Sequence, residues 1–180
     1  MRGDECGNLV KPGSQTPTVS EIEARFKAAF EAWLPSVGRR SDEEQGVIPW
    51  LARALEEGLA LPDLGKGWVF LHQEWRFVGD DGIGKKSDIL AVHLPTGRLG
   101  IVEFKSDASK LAEARTQVDD YARFWRRDAS ELAPFFTTLL RAMGVAYGNE
   151  AAALGSVSTA PATVFVGLAC PGRRAHVQRR

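Results

Sequence analysis

SDILAVHLPTGRLGIVEFKSD, residues 87–107, is the stretch whose reading decides the fold. Its first half carries the continuous apolar run Ile89–Val92, its second half Leu99, Ile101 and Val102, and Pro95-Thr96-Gly97 lies between them. Apolar runs of this length mark strands covered on both faces, and the Pro-Thr-Gly step marks a turn. The stretch therefore predicts a hairpin of two buried strands, the second running from Leu99 to Lys105. Three charges interrupt it: Asp88 at the start, Glu103 and Lys105 at the end. Side chains two apart on a strand share a face, so Glu103 and Lys105 project together. Register decides where Asp88 falls. A Thr96-Gly97 loop sets it opposite Lys105; a Pro95-Thr96 or Leu94–Gly97 loop sets it opposite Glu103. Both gather the three charges on one face, and an uncompensated bulge in the turn would separate them.

Outward from the hairpin, WVFLHQEWRFV at 68–78 is aromatic and β-branched, hence a strand, and GDDGIG turns the chain after it. Downstream, residues 109–127 predict a helix with Leu111, Val118, Ala122 and Trp125 along one stripe, Trp125 belonging to the core. A separate helix is predicted over 131–143, with Leu132, Phe135, Phe136, Leu139 and Leu140. Residues 144–161, rich in Gly, Ala and Ser, predict a mobile loop, and Ala162–Ala169 a last buried strand. Upstream, residues 41–58 predict a helix with Ser41 and Glu44 as its capping box and Gly58 at its end. Gly46 and Pro49 disturb that helix, so its regular part is expected to start at Pro49. An earlier helix carries Ile22, Phe26, Phe30 and Trp33. Residues 1–17 read as a flexible lead-in, 18–170 as a single domain and 171–180 as a basic, frayed tail. The resulting order is helix, three strands, helix, strand: an α/β sheet of mixed direction.

Composition narrows the function less than it narrows the class. The chain has 180 residues, 44% of them hydrophobic, which suffices for one domain with a proper core. Lys plus Arg and Asp plus Glu both number 23, so whole-chain charge names no partner, and a nucleic-acid binder would have to gather its basic groups locally. Cys6 and Cys170 stand in no CxxC spacing, which indicates neither a disulfide framework nor a zinc site and suits a reducing cytoplasm. No apolar run is long enough for a membrane span. His72, His93 and His176 lack metal-ligand spacing. Gly79–Lys85, GDDGIGK, matches the start of a P-loop, yet Lys86 follows instead of Ser or Thr, and a strand follows instead of a helix. Lys85 and Lys86 are better read as phosphate contacts beside a site, with Lys110 a further candidate.

What could the three charges do? Two carboxylates about 4 Å apart repel by ~1 kcal/mol in water and by more where water is scarce. A hard divalent cation removes the conflict, and carboxylates with water and a backbone carbonyl are what Mg²⁺ prefers. Such an ion polarises a phosphoryl oxygen, and a lysine beside it adds positive charge and orients a water.

Asp88, fourteen residues, then Glu103-Phe104-Lys105 resembles the signature of the PD-(D/E)XK nucleases. Gln117 and Tyr121, four apart on the following helix, resemble the Q-x-x-x-Y motif of the RecB-type branch. Ser87 stands where the signature has proline, and the RecB-type upstream histidine has no counterpart. The resemblance covers about 41–169. It implies a restriction-endonuclease-like core, α-β-β-β-α-β, and a nuclease that uses Mg²⁺ or Mn²⁺, with DNA favoured over RNA. It implies Asp88, Glu103 and the Phe104 carbonyl as metal ligands, Glu44 as a further one from the first core helix, and Lys105 and Gln117 as catalytic groups. Tyr121 joins the lysines as a nucleic-acid contact, and a homodimer or an additional domain is a possible assembly. A non-catalytic binding or scaffold domain, and a hydrolase of a smaller phosphate substrate, remain the alternatives.

Overall fold

The computed structural model describes residues 42–79, 82–168 and 176–179; for 42–46, 48, 49 and 176–179 it describes the backbone alone. The helix expected from Ile22 to Trp33, the Ser41 cap and the lead-in over 1–17 lie outside the described residues.

The elements are α1 (Asp42–Glu56), β1 (Trp68–Val78), β2 (Gly84–His93), β3 (Arg98–Lys105), α2 (Leu111–Ala146), the single turn α3 (Glu150–Ala153), β4 (Thr163–Leu168) and β5 (His176–Arg179). The five strands form one sheet in sequence order. β1, β2 and β3 run antiparallel in turn, β4 joins β3 in parallel after the α2 crossover, and β5 returns antiparallel to β4. This is an α/β fold with a mixed sheet. Glu103 and Phe104 are consecutive and so project to opposite faces. Trp50 of α1 meets Phe104 edge to face, with ring centroids 5.5 Å apart, while Tyr121 of α2 feels the charge of Glu103. Among the described residues one helix therefore lies on each face, which is why β3 is buried from Leu99 to Lys105.

Close approach on the α1 face depends on Gly100. A Cβ there would lie 2.6 Å from the Trp68 ring and 3.3 Å from Phe165, and those two rings pack edge to face across it. On the other face Trp75 and Phe77 of β1 meet Phe136 and Tyr121 of α2.

Four expectations need correction. α1 is regular from Asp42 onward instead of from Pro49. The proline withholds one helix hydrogen bond, and burial of Val47, Trp50, Leu51 and Ala54 offsets it. As expected, Gly58 ends the helix: it takes φ +63, and the Leu59 amide reaches back to the Ala54 carbonyl, a Schellman-type closure. The helices foreseen over 109–127 and 131–143 are one 36-residue helix, α2, that passes through Pro134. Nothing in Asp128-Ala129-Ser130 breaks it, and Ala129, Ala133 and Phe136 continue its buried stripe. Residues 144–161 are tied down instead of forming a loose loop. Asn149 caps α3, Gly144 lets α3 pack against α2, and Trp125, Thr137 and Arg141 bind the backbone at Ala160, Val157 and Gly155. The small residues there serve contact. Finally, the terminal segment read as frayed contributes β5, paired to β4 from His176 to Arg179.

Candidate active site

The β2–β3 turn spans Leu94–Gly97, and His93 pairs with Arg98. Of the registers weighed, this is the one that counts Asp88 opposite Glu103. The backbone ladder, however, stops at Ile89↔Val102. Beyond it the strands are joined through a side chain: Asp88 Oδ2 accepts the Phe104 amide at 2.6 Å. In a strand the N–H and C=O of one residue point to the same edge, so the Phe104 carbonyl is turned toward this gap as well. Asp88 is half-buried, Glu103 is 4% exposed and Lys105 8%. Lys105 Nζ donates to Glu103 Oε1 at 3.0 Å.

A buried ion pair is a poor way to stabilise a fold, because desolvation offsets most of the attraction. Its position at the inner end of an apolar strand is better explained by chemistry than by packing.

From α2, the Tyr121 hydroxyl donates to the Lys86 carbonyl at 2.6 Å, and the residue is 1% exposed. Burial, followed by the negative charges of Glu103, Asp88 and Asp120, holds its phenol well above the usual tyrosine range, so it stays a proton donor. That burial does not suit the nucleic-acid contact expected of Tyr121; the side chain ties α2 to β2 instead. One turn earlier, Gln117 is half-buried, and its Oε1 is enclosed without a hydrogen-bond partner. Glu44 lies in the first turn of α1, and its side chain is outside the described residues.

The candidate phosphate contacts are all exposed. Lys85 pairs with Asp120 of α2 at 2.8 Å, Lys86 comes within 4.0 Å of Glu74, and Lys110 stands in the 3-10 turn Ala108–Lys110 that leads into α2. β2 begins at Gly84, directly after GDDGI, so no helix N-terminus follows this segment and the nucleotide reading fails.

Two residues have more to do with the site than their sequence context suggests. Ser87 is fully buried, and its hydroxyl donates to the Trp75 carbonyl at 3.4 Å, a long bond that nonetheless fixes the residue before Asp88 to β1. Glu74 of β1 counts opposite Asp88, since Gln73 pairs with Ile89 and Trp75 with Ser87; its φ is +50. A register shift between Phe70 and His72 sets that alignment, and alternation alone does not reveal a bulge.

Among the described residues no three His, Cys, Asp or Glu side chains converge to hold a metal ion. At the gap stand the Asp88 carboxylate and the Phe104 carbonyl, with Glu103 the residue before Phe104. An all-oxygen set of this kind fits a hard divalent cation completed by water. No helix among the described residues is long and apolar enough to cross a membrane. No family model, curated protein or solved structure matches the chain.

Proposed function

We propose that the chain is a metal-dependent nuclease of the PD-(D/E)XK kind, hydrolysing phosphodiester bonds in nucleic acid, DNA in preference to RNA. One observation supports the reading: where the β2–β3 ladder stops, the Asp88 carboxylate accepts the Phe104 amide, and Glu103, the residue before Phe104, is buried and paired to Lys105. Asp88, Glu103 and the Phe104 carbonyl would hold Mg²⁺ or Mn²⁺, with Glu44 the further candidate. Such an ion relieves the repulsion of the carboxylates and polarises a phosphoryl oxygen.

The remaining work belongs to the chain. Lys105 orients the attacking water and places positive charge where negative charge grows at phosphorus. Glu103 steers that ammonium, and Gln117, one turn before Tyr121 on α2, is the candidate to steady the lysine or a phosphate. Lys85, Lys86 and Lys110 take backbone phosphates, which position a strand without reading its sequence. A reducing cytoplasm suits the reading, and a second copy or a partner domain would serve cleavage of both strands of a duplex.

The test is cleavage of supercoiled plasmid and of single-stranded DNA with Mg²⁺, Mn²⁺ or EDTA, running Asp88→Asn and Lys105→Ala beside the wild type. Metal-dependent cutting lost in both variants is the expected result. Metal binding without cutting would redirect the reading to a smaller phosphate substrate. Neither binding nor cutting would leave a nuclease-like scaffold.

A further inference from the structure

Past Ile89 the edge of β2 that faces β3 has no ladder partner, yet its next residues are not loose. Three successive positions, paired to β1 on their other side, carry further ties: Lys85 to Asp120 of α2, the Lys86 carbonyl to the Tyr121 hydroxyl, and the Ser87 hydroxyl to the Trp75 carbonyl. Of these ties the Tyr121 bond is short and enclosed, whereas Lys85 is exposed to water and the Ser87 bond is long. The phenol is also stacked on Phe77 of β1, with centroids 5.4 Å apart, so its ring has a fixed seat. Asp88 follows two residues after Lys86 and spends one carboxylate oxygen on the Phe104 amide.

We propose that Tyr121 is a positioning residue: by holding the Lys86 carbonyl it fixes the parted end of β2, and so keeps the Asp88 carboxylate on Phe104 and beside Glu103. The inference rests on the nuclease reading for its kinetic consequence, though not for its structural one. It also separates Tyr121 from Lys85 and Lys86, which touch substrate in that reading, since the tyrosine acts only through Asp88.

Tyr121→Phe removes the hydroxyl and keeps the ring, so packing against Phe77 is preserved. Three measurements on the full chain test it. Hydrogen exchange at the Phe104 amide is expected to speed up about tenfold, while the ladder amides of Leu90 and Ile101 stay as in wild type and report an intact fold. Mn²⁺ affinity by calorimetry is expected to weaken severalfold. In cleavage, kcat is expected to fall about tenfold with KM for DNA unchanged.

Unchanged Phe104 exchange would overturn the proposal, as would a rise in KM with kcat unaltered, which would make Tyr121 a direct substrate contact. If the wild type neither binds Mn²⁺ nor cuts, the nuclease reading falls, and the Phe104 amide alone decides: faster exchange upholds the tie, and unchanged exchange overturns it.

Discussion

From Ile89 to His93, β2 is bonded to β3 residue for residue, and Ile89, Leu90, Ala91 and Val92 are fully buried and apolar. From Asp88 back to Gly84 the same strand keeps β1 on one side but leaves β3, and side chains take over where the ladder ends. The first half is specified by hydrophobic burial, which tolerates any well-fitting apolar residue. On its β3 side the second half is specified by side-chain hydrogen bonds and charges. Stability and chemistry are thus separated along one hairpin, and substitutions at its two ends should fail in different ways.

The largest effect is expected at the parted end. Glu103→Gln keeps an acceptor for Lys105 but removes the charge, and should lower cleavage at least about a thousandfold while the thermal midpoint moves little. If the melting temperature collapses along with activity, the separation is wrong. At the bonded end, Ile101→Ala should cost about 3 kcal/mol in urea unfolding, with the cleavage rate of the remaining folded protein unchanged.

His72 offers a pH version of the same contrast. It pairs opposite Leu90, its ring meets Trp75 edge to face, and burial lowers its pKa from 6.5 to about 4, against the smaller opposing effect of a hydrogen bond to the Gln73 backbone. The unfolded chain therefore binds a proton that the folded one refuses. Stability from this residue is complete above pH 6.5 and is lost as pH falls from 6.5 toward 4, by up to about 3 kcal/mol. The difference in urea midpoint between wild type and His72→Phe, followed from pH 7 to pH 4.5, isolates that loss; a pH-independent difference would contradict it. The smallest effect belongs to Ser87→Ala, which breaks one long bond and should cost no more than about 1 kcal/mol, with a modest fall in cleavage rate.

Much of this was legible in the residues. β1 was bounded at Trp68 and Val78 by aromatic and β-branched content, and the doubly covered strands by their unbroken apolar runs, because burial on both faces leaves no room for polar alternation. The meeting of Glu103 with Lys105 followed from strand periodicity, although the turn length that set the register did not. What stayed hidden was what depends on distant partners. Pro49 and Pro134 argue locally against helix, and only tertiary packing shows that they are tolerated. The pairing of β5 depends on an open edge of β4. Tyr121 reads as a nucleic-acid contact, since nothing nearby in sequence announces that the Lys86 carbonyl, 35 residues away, needs a donor.

The continuity of α2 carries a consequence for how such a chain can change over time. One unbroken rod holds Tyr121 on β2 and, fifteen residues later, Phe136 against Trp75. Each added or deleted residue between them would turn one contact relative to the other by about 100°. Had the helix been two pieces with a loop, length could drift freely there. As it stands the span from Tyr121 to Phe136 is phase-locked: it can accept substitutions but not insertions, and the spacing between those two rings is an inheritance that the candidate site imposes on the rest of the fold.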